Sequence, residues 1–293
     1  MKKILSFGCG VITCNEKYIA AAGNKIGLVN RATGEICGTL TGVRNVTDIK
    51  LNDGYVYAKT TTGMYYMFDS ETQELQYKGY CCEKRNSSHD GEFHVYAKGI
   101  ILDILSLKDE QYYFVKYNFT LQKHEKVCVA KSNFSCKDWW VDYQRRKAYI
   151  LFLQKCCLNY SQTNCCISVV DIDNLQITEE KTIIFENGIM PIGLINTHSI
   201  LLNNMQIYEV DSLEKENLGS HNYFQDKSCG YFVRMHSDGN KNLILIFSKC
   251  VFVFDLTTKK MYKSYPCQYG DNAVCIDGKI YIATWDGLFL ADE

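Results

Sequence analysis

Four cysteines, Cys156, Cys157, Cys165 and Cys166, form the densest group of reactive side chains in this chain of 293 residues. Two vicinal thiol pairs separated by seven residues can ligate a metal as thiolates, close disulfides, or fill apolar space as reduced side chains. If residues 148–157 and 165–171 are paired strands, Cys157 faces Cys165 and Cys156 faces Cys166. Neighbouring residues of a strand point to opposite faces, so the two pairs fall on opposite sides of the sheet. That geometry opposes a single four-thiolate zinc site, whose sulfurs must converge tetrahedrally. It permits one or two cross-strand disulfides or a redox-sensitive hairpin tip, with four reduced cysteines in a long hairpin as the plainer reading. Cys81 and Cys82 with His89 form a looser version of the same grouping.

Other chemistry is sparse. His89, His94, His124, His198, His221 and His236 are dispersed, with neither His-x-His nor His-Glu-x-x-His spacing. There is no Gly-x-Ser-x-Gly elbow and no phosphate-binding Gly-Lys-Thr loop. No catalytic residue, metal ligand set or cofactor is therefore expected from motif alone.

The elements that must carry these residues repeat along the chain. An apolar run closed by a polar residue recurs seven times, as in Lys25–Asn30, Met64–Asp69, Tyr113–Asn118, Ile167–Asp171, Gln206–Asp211, Val251–Asp255 and Gly287–Asp292. The closing residues are spaced by 39, 49, 53, 40, 44 and 37. Strand-only units near that period predict an all-β, seven-bladed β-propeller with four-stranded antiparallel blades. The last unit shows three strands, Asn272–Ile276, Lys279–Thr284 and Gly287–Ala291, and lacks a fourth. The segment Lys3–Phe7 precedes the first full unit and belongs to no blade. Placing it outside Gly287–Ala291 completes the seventh blade and closes the ring, which covers an otherwise unpaired edge. Residues 1–293 are read as one domain, with helix content close to nil.

At the level of repeat grammar the chain resembles seven-bladed propellers of the WD40/YVTN/quinoprotein-like group, over its whole length. The Gly-His opening and Trp-Asp closing of WD40 repeats are absent. The phrase Ala283–Phe289 is similar to the strand-turn-strand phrase of sensor-type propellers and occurs once. The resemblance implies the fold and carries over no catalytic residue.

Composition narrows the partners. Net charge is -1, with no basic stripe to track a phosphate backbone, so nucleic-acid binding is not expected. No apolar run approaches the ~20 residues of a membrane span. Fifteen cysteines scattered over most repeats are an odd count and not a small secreted framework, which points to reduced thiols and a cytoplasmic setting. Secretion is the minority reading, resting on a basic start (Lys2, Lys3) and sequons at Asn45, Asn86, Asn118, Asn133 and Asn159.

In a propeller the loops from fourth to next first strand, and from second to third, emerge on one rim. That rim is expected to gather Arg44, His89, Trp139, Trp140, His221, Tyr223, Tyr269 and Trp285, with Lys84, Arg85 and Phe224 nearby. Aromatics and Arg are enriched where partners are gripped. Trp139 and Trp140 alternate in direction, so one of them is equally suited to filling space between blades. The expectation is a non-enzymatic module binding a protein or peptide partner, with a small-molecule ligand also possible. The alternative is a propeller enzyme of lyase, lactonase or cyclotransferase type with a polar site at the channel mouth, and a third reading is a sensor subunit within an assembly.

Overall fold

Burial along the chain already separates inner strands from outer ones. Tyr18–Gly23 and Tyr55–Thr60 are buried almost throughout, whereas Ile36–Leu40 and Lys260–Pro266 are largely exposed. A strand sandwiched between neighbouring sheets must be apolar on both faces, and an outermost strand is freed from that demand.

A computed structural model describes residues 1–81, 91–107, 109, 111–130, 133–154, 162–186 and 188–291. They form seven four-stranded antiparallel sheets arranged as the blades of a propeller. In chain order the innermost strands are Cys9–Cys14, Val46–Asn52, Phe93–Ala97, Phe134–Asp142, Pro191–Leu194, Phe232–Ser237 and Gly270–Ile276. The seventh sheet takes its outer strand, Lys2–Leu5, from the start of the chain, paired antiparallel to Gly287–Leu290. Gly287 has a φ of 150°, and a Cβ there would strike the Leu5 carbonyl oxygen, so the seam requires glycine. The one helical segment among the described residues is a 3-10 turn at Lys227–Cys229.

The hydrophobic core is divided into wedges between blades. Val11, Leu28, Ile49 and Phe68 fill the wedge of blades one and two, and Leu5, Ile12, Ile276 and Leu288 that of blades seven and one. Five further clusters fill the remaining gaps in order.

In blades one, two, four and six the polar residue that closes the repeat is a turn device. Asp69 Oδ1 accepts from the backbone N–H groups of Glu71 (2.9 Å) and Thr72 (2.8 Å), and Asn30, Asp171 and Asp255 do the same two and three residues on. Such an Asx turn starts the third-to-fourth hairpin. Four residues after the closer the chain enters the left-handed region, at Gly34, Gln73, Gln122, Leu175 and Lys259. In blade five this spacing makes the closer Glu209, with Leu213 at φ 62°, rather than the expected Asp211. Glu209 lies opposite Ser199, as Asp69 lies opposite Tyr55.

The same register corrects the cysteine hairpin. Asp171 lies opposite Lys147, which places Leu153 opposite Cys165 and Phe152 opposite Cys166. The expected pairing, Cys157 with Cys165 and Cys156 with Cys166, would need a shift of four residues. Register is anchored at the Asx-turn end of the strand, not at the hairpin tip. Cys156 and Cys157 themselves lie outside the described residues. The third blade, irregular in sequence, is regular in structure, with strands Phe93–Ala97, Ile100–Ser106, Tyr112–Asn118 and Lys123–Ala130.

Candidate functional site

Among the described residues, the central channel and the loop-bearing rim around its mouth combine accessible space with polar or aromatic groups. Innermost strands turn alternate residues toward the axis, and several of these residues are polar. Lys50 Nζ lies 3.2 Å from Asp48 Oδ2 and 3.6 Å from Glu92 Oε2, and Arg234 Nη1 lies 3.9 Å from Glu92 Oε1. Glu92 thus joins blades two, three and six, and its carbonyl accepts from Trp139 Nε1 (3.2 Å) of blade four. His94 Nδ1 and the Tyr143 hydroxyl are 3.2 Å apart, and His236 Nε2 and Asn272 Oδ1 are 2.6 Å apart.

Electrostatics decide what this group can do. Burial opposes ionisation of Glu92, but Lys50, His236 and Arg234 overcome it and hold the carboxyl well below its usual range. Burial likewise works against the Lys50 ammonium, and Asp48 and Glu92 hold it above its usual range. His94 is pushed down to about 3 by burial and the nearby Lys50 charge, so it is neutral at physiological pH. Burial lowers His236 as well. Each charge is compensated within the cluster, and Glu92, clamped between two cations, makes a poor general base.

Asp138 behaves differently. Burial, with a smaller push from Glu92, raises it to about 7. It borders a cavity of about 560 Å³ at the mouth, lined also by Glu92, Ile192, Phe232, Arg234 and Met235. Its two oxygens accept from Trp139 N (2.8 Å) and, across to blade five, Leu194 N (2.7 Å). Asp48 makes the same pair of bonds to Ile49 and Phe93. The recurrence identifies a staple between adjacent innermost strands, and Gly193 allows it, since a Cβ there would sit 2.5 Å from Asp138 Oδ2.

The residues expected on the rim divide into groups. Tyr269 and Trp285 come together: their rings are parallel within 6° with centroids 4.9 Å apart, and they are 51% and 61% exposed. Trp285 Nε1 donates to Asp271 Oδ2 (3.0 Å), which fixes the indole at the rim. His221 and Tyr223 also meet, edge to face at 4.7 Å, with His221 bonded to Asp226 at 3.1 Å. Tyr223, however, folds onto Phe252 (4.2 Å) and its hydroxyl reaches Met261 on the outermost strand of blade six, so this pair flanks the blade. Arg44 is exposed in the loop between blades one and two.

The two tryptophans belong to the innermost strand Phe134–Asp142, not to a loop. Trp139 is buried between blades three and four against His94 and Phe114. Trp140 is half-buried, and its ring meets Gly239 in the turn on the opposite face. His89 lies outside the described residues. Cys165 is buried among Tyr149, Leu151 and Ile167, while Cys166 packs on the other face near Phe152. Burial pushes the Cys165 thiol up to about 12. Among the described residues no three His, Cys, Asp or Glu side chains are placed to hold a metal.

Sequence reading missed the channel group and Tyr231. Tyr231 is 65% exposed, and its carbonyl accepts from Ser248 N (2.9 Å), whose own carbonyl accepts from Gly270 N (3.2 Å). That chain of backbone bonds links the segment carrying Tyr231 in blade six to the one carrying Tyr269 at the start of blade seven. A signal existed for the channel: Asp48, Lys50, Arg234 and His236 interrupt otherwise apolar innermost strands.

No family model matches the sequence, and no curated protein does. Solved structures do. The β-propeller domain of Cps50 (Swd1) from Myceliophteria thermophila is 8% identical, with 98% of each chain covered and a TM-score of 0.66. Hydrazine synthase of Kuenenia stuttgartiensis is 10% identical, over 99% of this chain and 96% of that one, with a TM-score of 0.70. The computationally designed protein Ika8 is 8% identical over 99% of both chains, with a TM-score of 0.62. A likeness at such identities concerns fold alone, since one fold hosts many functions. By its topology and these neighbours, the chain is a seven-bladed β-propeller.

Proposed function

We propose that this propeller is a non-enzymatic interaction module that docks a protein or peptide partner on its loop-bearing rim. The observation that carries the reading is the exposed stack of Tyr269 and Trp285, with Tyr231 exposed on the adjoining blade. Large aromatic faces held rigid by backbone and indole bonds bury much area at little entropic cost, as interface anchors do. The self-compensated charges of the channel support the same reading, because they leave Glu92 poorly suited to proton transfer. The fifteen cysteines, an odd number scattered over most repeats, favour a reducing, cytoplasmic setting.

The test is quantitative affinity capture with the intact chain, comparing wild type with the rim variant Y231S/Y269S/W285S and the opposite-face variant Y143S. The rim variant is expected to lose a specific partner by at least ~10-fold, the effect of one or two lost anchors, while Y143S retains it. Equal recovery by all three proteins would overturn the assignment of the rim.

The enzyme reading keeps one specific observation in its favour, the Asp138 carboxyl raised to about 7 at the edge of the mouth cavity. A pH-dependent turnover abolished in D138N, with the fold intact, would establish it.

A further inference from the structure

Three cysteines, distant in sequence from the hairpin that first drew notice, meet on the loop-bearing rim of blade six. Cys229 ends the 3-10 turn, Cys250 opens the third strand, and Cys267 follows the fourth. The Cys250 thiol donates to the Cys229 carbonyl oxygen at 3.7 Å, and the neighbouring Lys249 N donates to the same oxygen at 3.1 Å. Cys229 and Cys250 share one apolar cluster with Phe247 and Phe252, and the Cys250 sulfur lies against the backbone of Cys229. Cys267 packs in the adjacent wedge with Val251 and Ala273, and its thiol donates to the Phe247 carbonyl at 3.9 Å. Two of the three cysteines therefore come together from separate segments in one wedge, while the third packs in the next.

We infer that Cys229 and Cys250 are a dithiol that closes to a disulfide when the surroundings turn oxidising. With a low-molecular-weight disulfide such as glutathione disulfide as oxidant, the partly exposed Cys250 attacks first as the thiolate. One glutathione thiolate leaves, and a mixed disulfide remains on Cys250. The buried Cys229 then loses its proton and attacks the Cys250 sulfur, expelling the second glutathione. Two thiols are oxidised and one disulfide is reduced to two glutathione molecules, so electrons and protons balance. Burial and the bond to Cys229 keep the Cys250 thiol protonated well above neutral pH, so closure is slow at pH 7 and accelerates with the thiolate fraction.

Closure has a structural consequence. The segment from Leu218 to Gly230 carries His221 and Tyr223 across the flank of blade six, held at its start by Gly219 N bonding to the Lys259 carbonyl (2.9 Å). A Cys229–Cys250 bond would fasten its other end covalently to the turn between second and third strands.

The folded chain is incubated with glutathione disulfide at pH 7.0 and 8.5, quenched with N-ethylmaleimide under denaturing conditions, and mapped by non-reducing digestion and mass spectrometry. The expected product is a peptide pair linked through Cys229 and Cys250, lighter by two hydrogens, formed about tenfold faster per unit of pH. C267S should form it equally well, and C250S should leave Cys229 unlinked. Maleimide on both Cys229 and Cys250 after prolonged oxidation, or a dominant link from either to Cys267, would overturn the inference. Wild-type mapping alone decides between these outcomes even if C250S does not fold.

Discussion

Lys59 and Asp103 are 0% and 1% exposed, an uncommon depth for two ionisable side chains. Lys59 Nζ lies 2.7 Å from Asp103 Oδ2 and 3.0 Å from Oδ1, and donates also to the Gly91 carbonyl at 2.9 Å. The Tyr65 hydroxyl and Ile104 N donate to the same carboxylate. Burial pushes Asp103 up, and the Lys59 charge together with the Tyr65 hydroxyl pulls it back. Such a pair is tolerated because every partner is present, and it fixes blade two against blade three through their second strands. Lys59→Met should lower stability by about 3–5 kcal/mol, since it strands a buried carboxylate, and a K59M/D103L double variant should recover most of that loss. The stranded carboxyl would titrate higher folded than unfolded, so the folded state binds more protons and the K59M deficit should shrink as pH falls toward 5. Urea unfolding at pH 7.5 and 5 checks both statements, and an additive double variant would refute the pairing. Nothing in the sequence announces this pair: each residue is the one charged side chain of its strand, 44 positions from the other.

At the scale of the element, the repeating closer was plain in the sequence and its mechanism was not. Short polar side chains that can bond their own backbone two residues on are what start the third-to-fourth hairpin, so Asp and Asn recur there. Blade five departs from the pattern for a steric reason. Glu209 is one methylene longer and spends its carboxylate on the Ser199 hydroxyl, at 2.8 and 2.9 Å, while Asp211 pairs with Lys181 of the outermost strand of blade four and with His198 in a turn of its own blade. The cysteine hairpin was misjudged because a shift of four residues leaves every side chain on its original face, and alternation cannot detect an even slip. Only the Asx-turn anchor at Asp171 distinguishes the two registers. Asp171→Ala and Asp255→Ala should each cost about 0.5–1.5 kcal/mol, the worth of the bonds removed, and Asp→Asn at either position should be nearly neutral. Chemical denaturation of the four variants measures this, and a matching loss in the Asn variants would assign the effect to charge instead of the turn.

The ring as a whole was legible because a sheet missing its outer strand and a strand missing its sheet stood at opposite ends of the same chain. The channel was not, because its members become neighbours only after closure: Glu92 reaches Lys50 and Arg234 from blades far apart in sequence. Closure is therefore the feature on which both the fold and the mouth depend. Leu5 is buried in the seventh-to-first wedge with Ile4 and Phe7 packed around it, and Arg31 reinforces the seam with paired bonds to Asp277 at 2.9 and 2.5 Å. Deleting residues 1–7 would remove those side chains, and expose their partners Ile12, Ile276 and Leu288 together with the backbone of Gly287–Leu290. At about 1.5–3 kcal/mol per buried apolar side chain the loss is several kcal/mol, enough to lower the thermal midpoint by roughly 10 °C in a domain of this size. The bared strand edge should also recruit other chains, making the deletion variant self-associate with rising concentration. Differential scanning calorimetry and size-exclusion chromatography with light scattering report the two effects separately. A peptide of residues 1–8 added in trans should raise the midpoint and suppress association, because it restores the pairing to Gly287–Leu290 without altering any other contact. A truncated chain that stays monomeric, with an unchanged midpoint, would mean that the wedges between the other blades hold the ring closed without this strand.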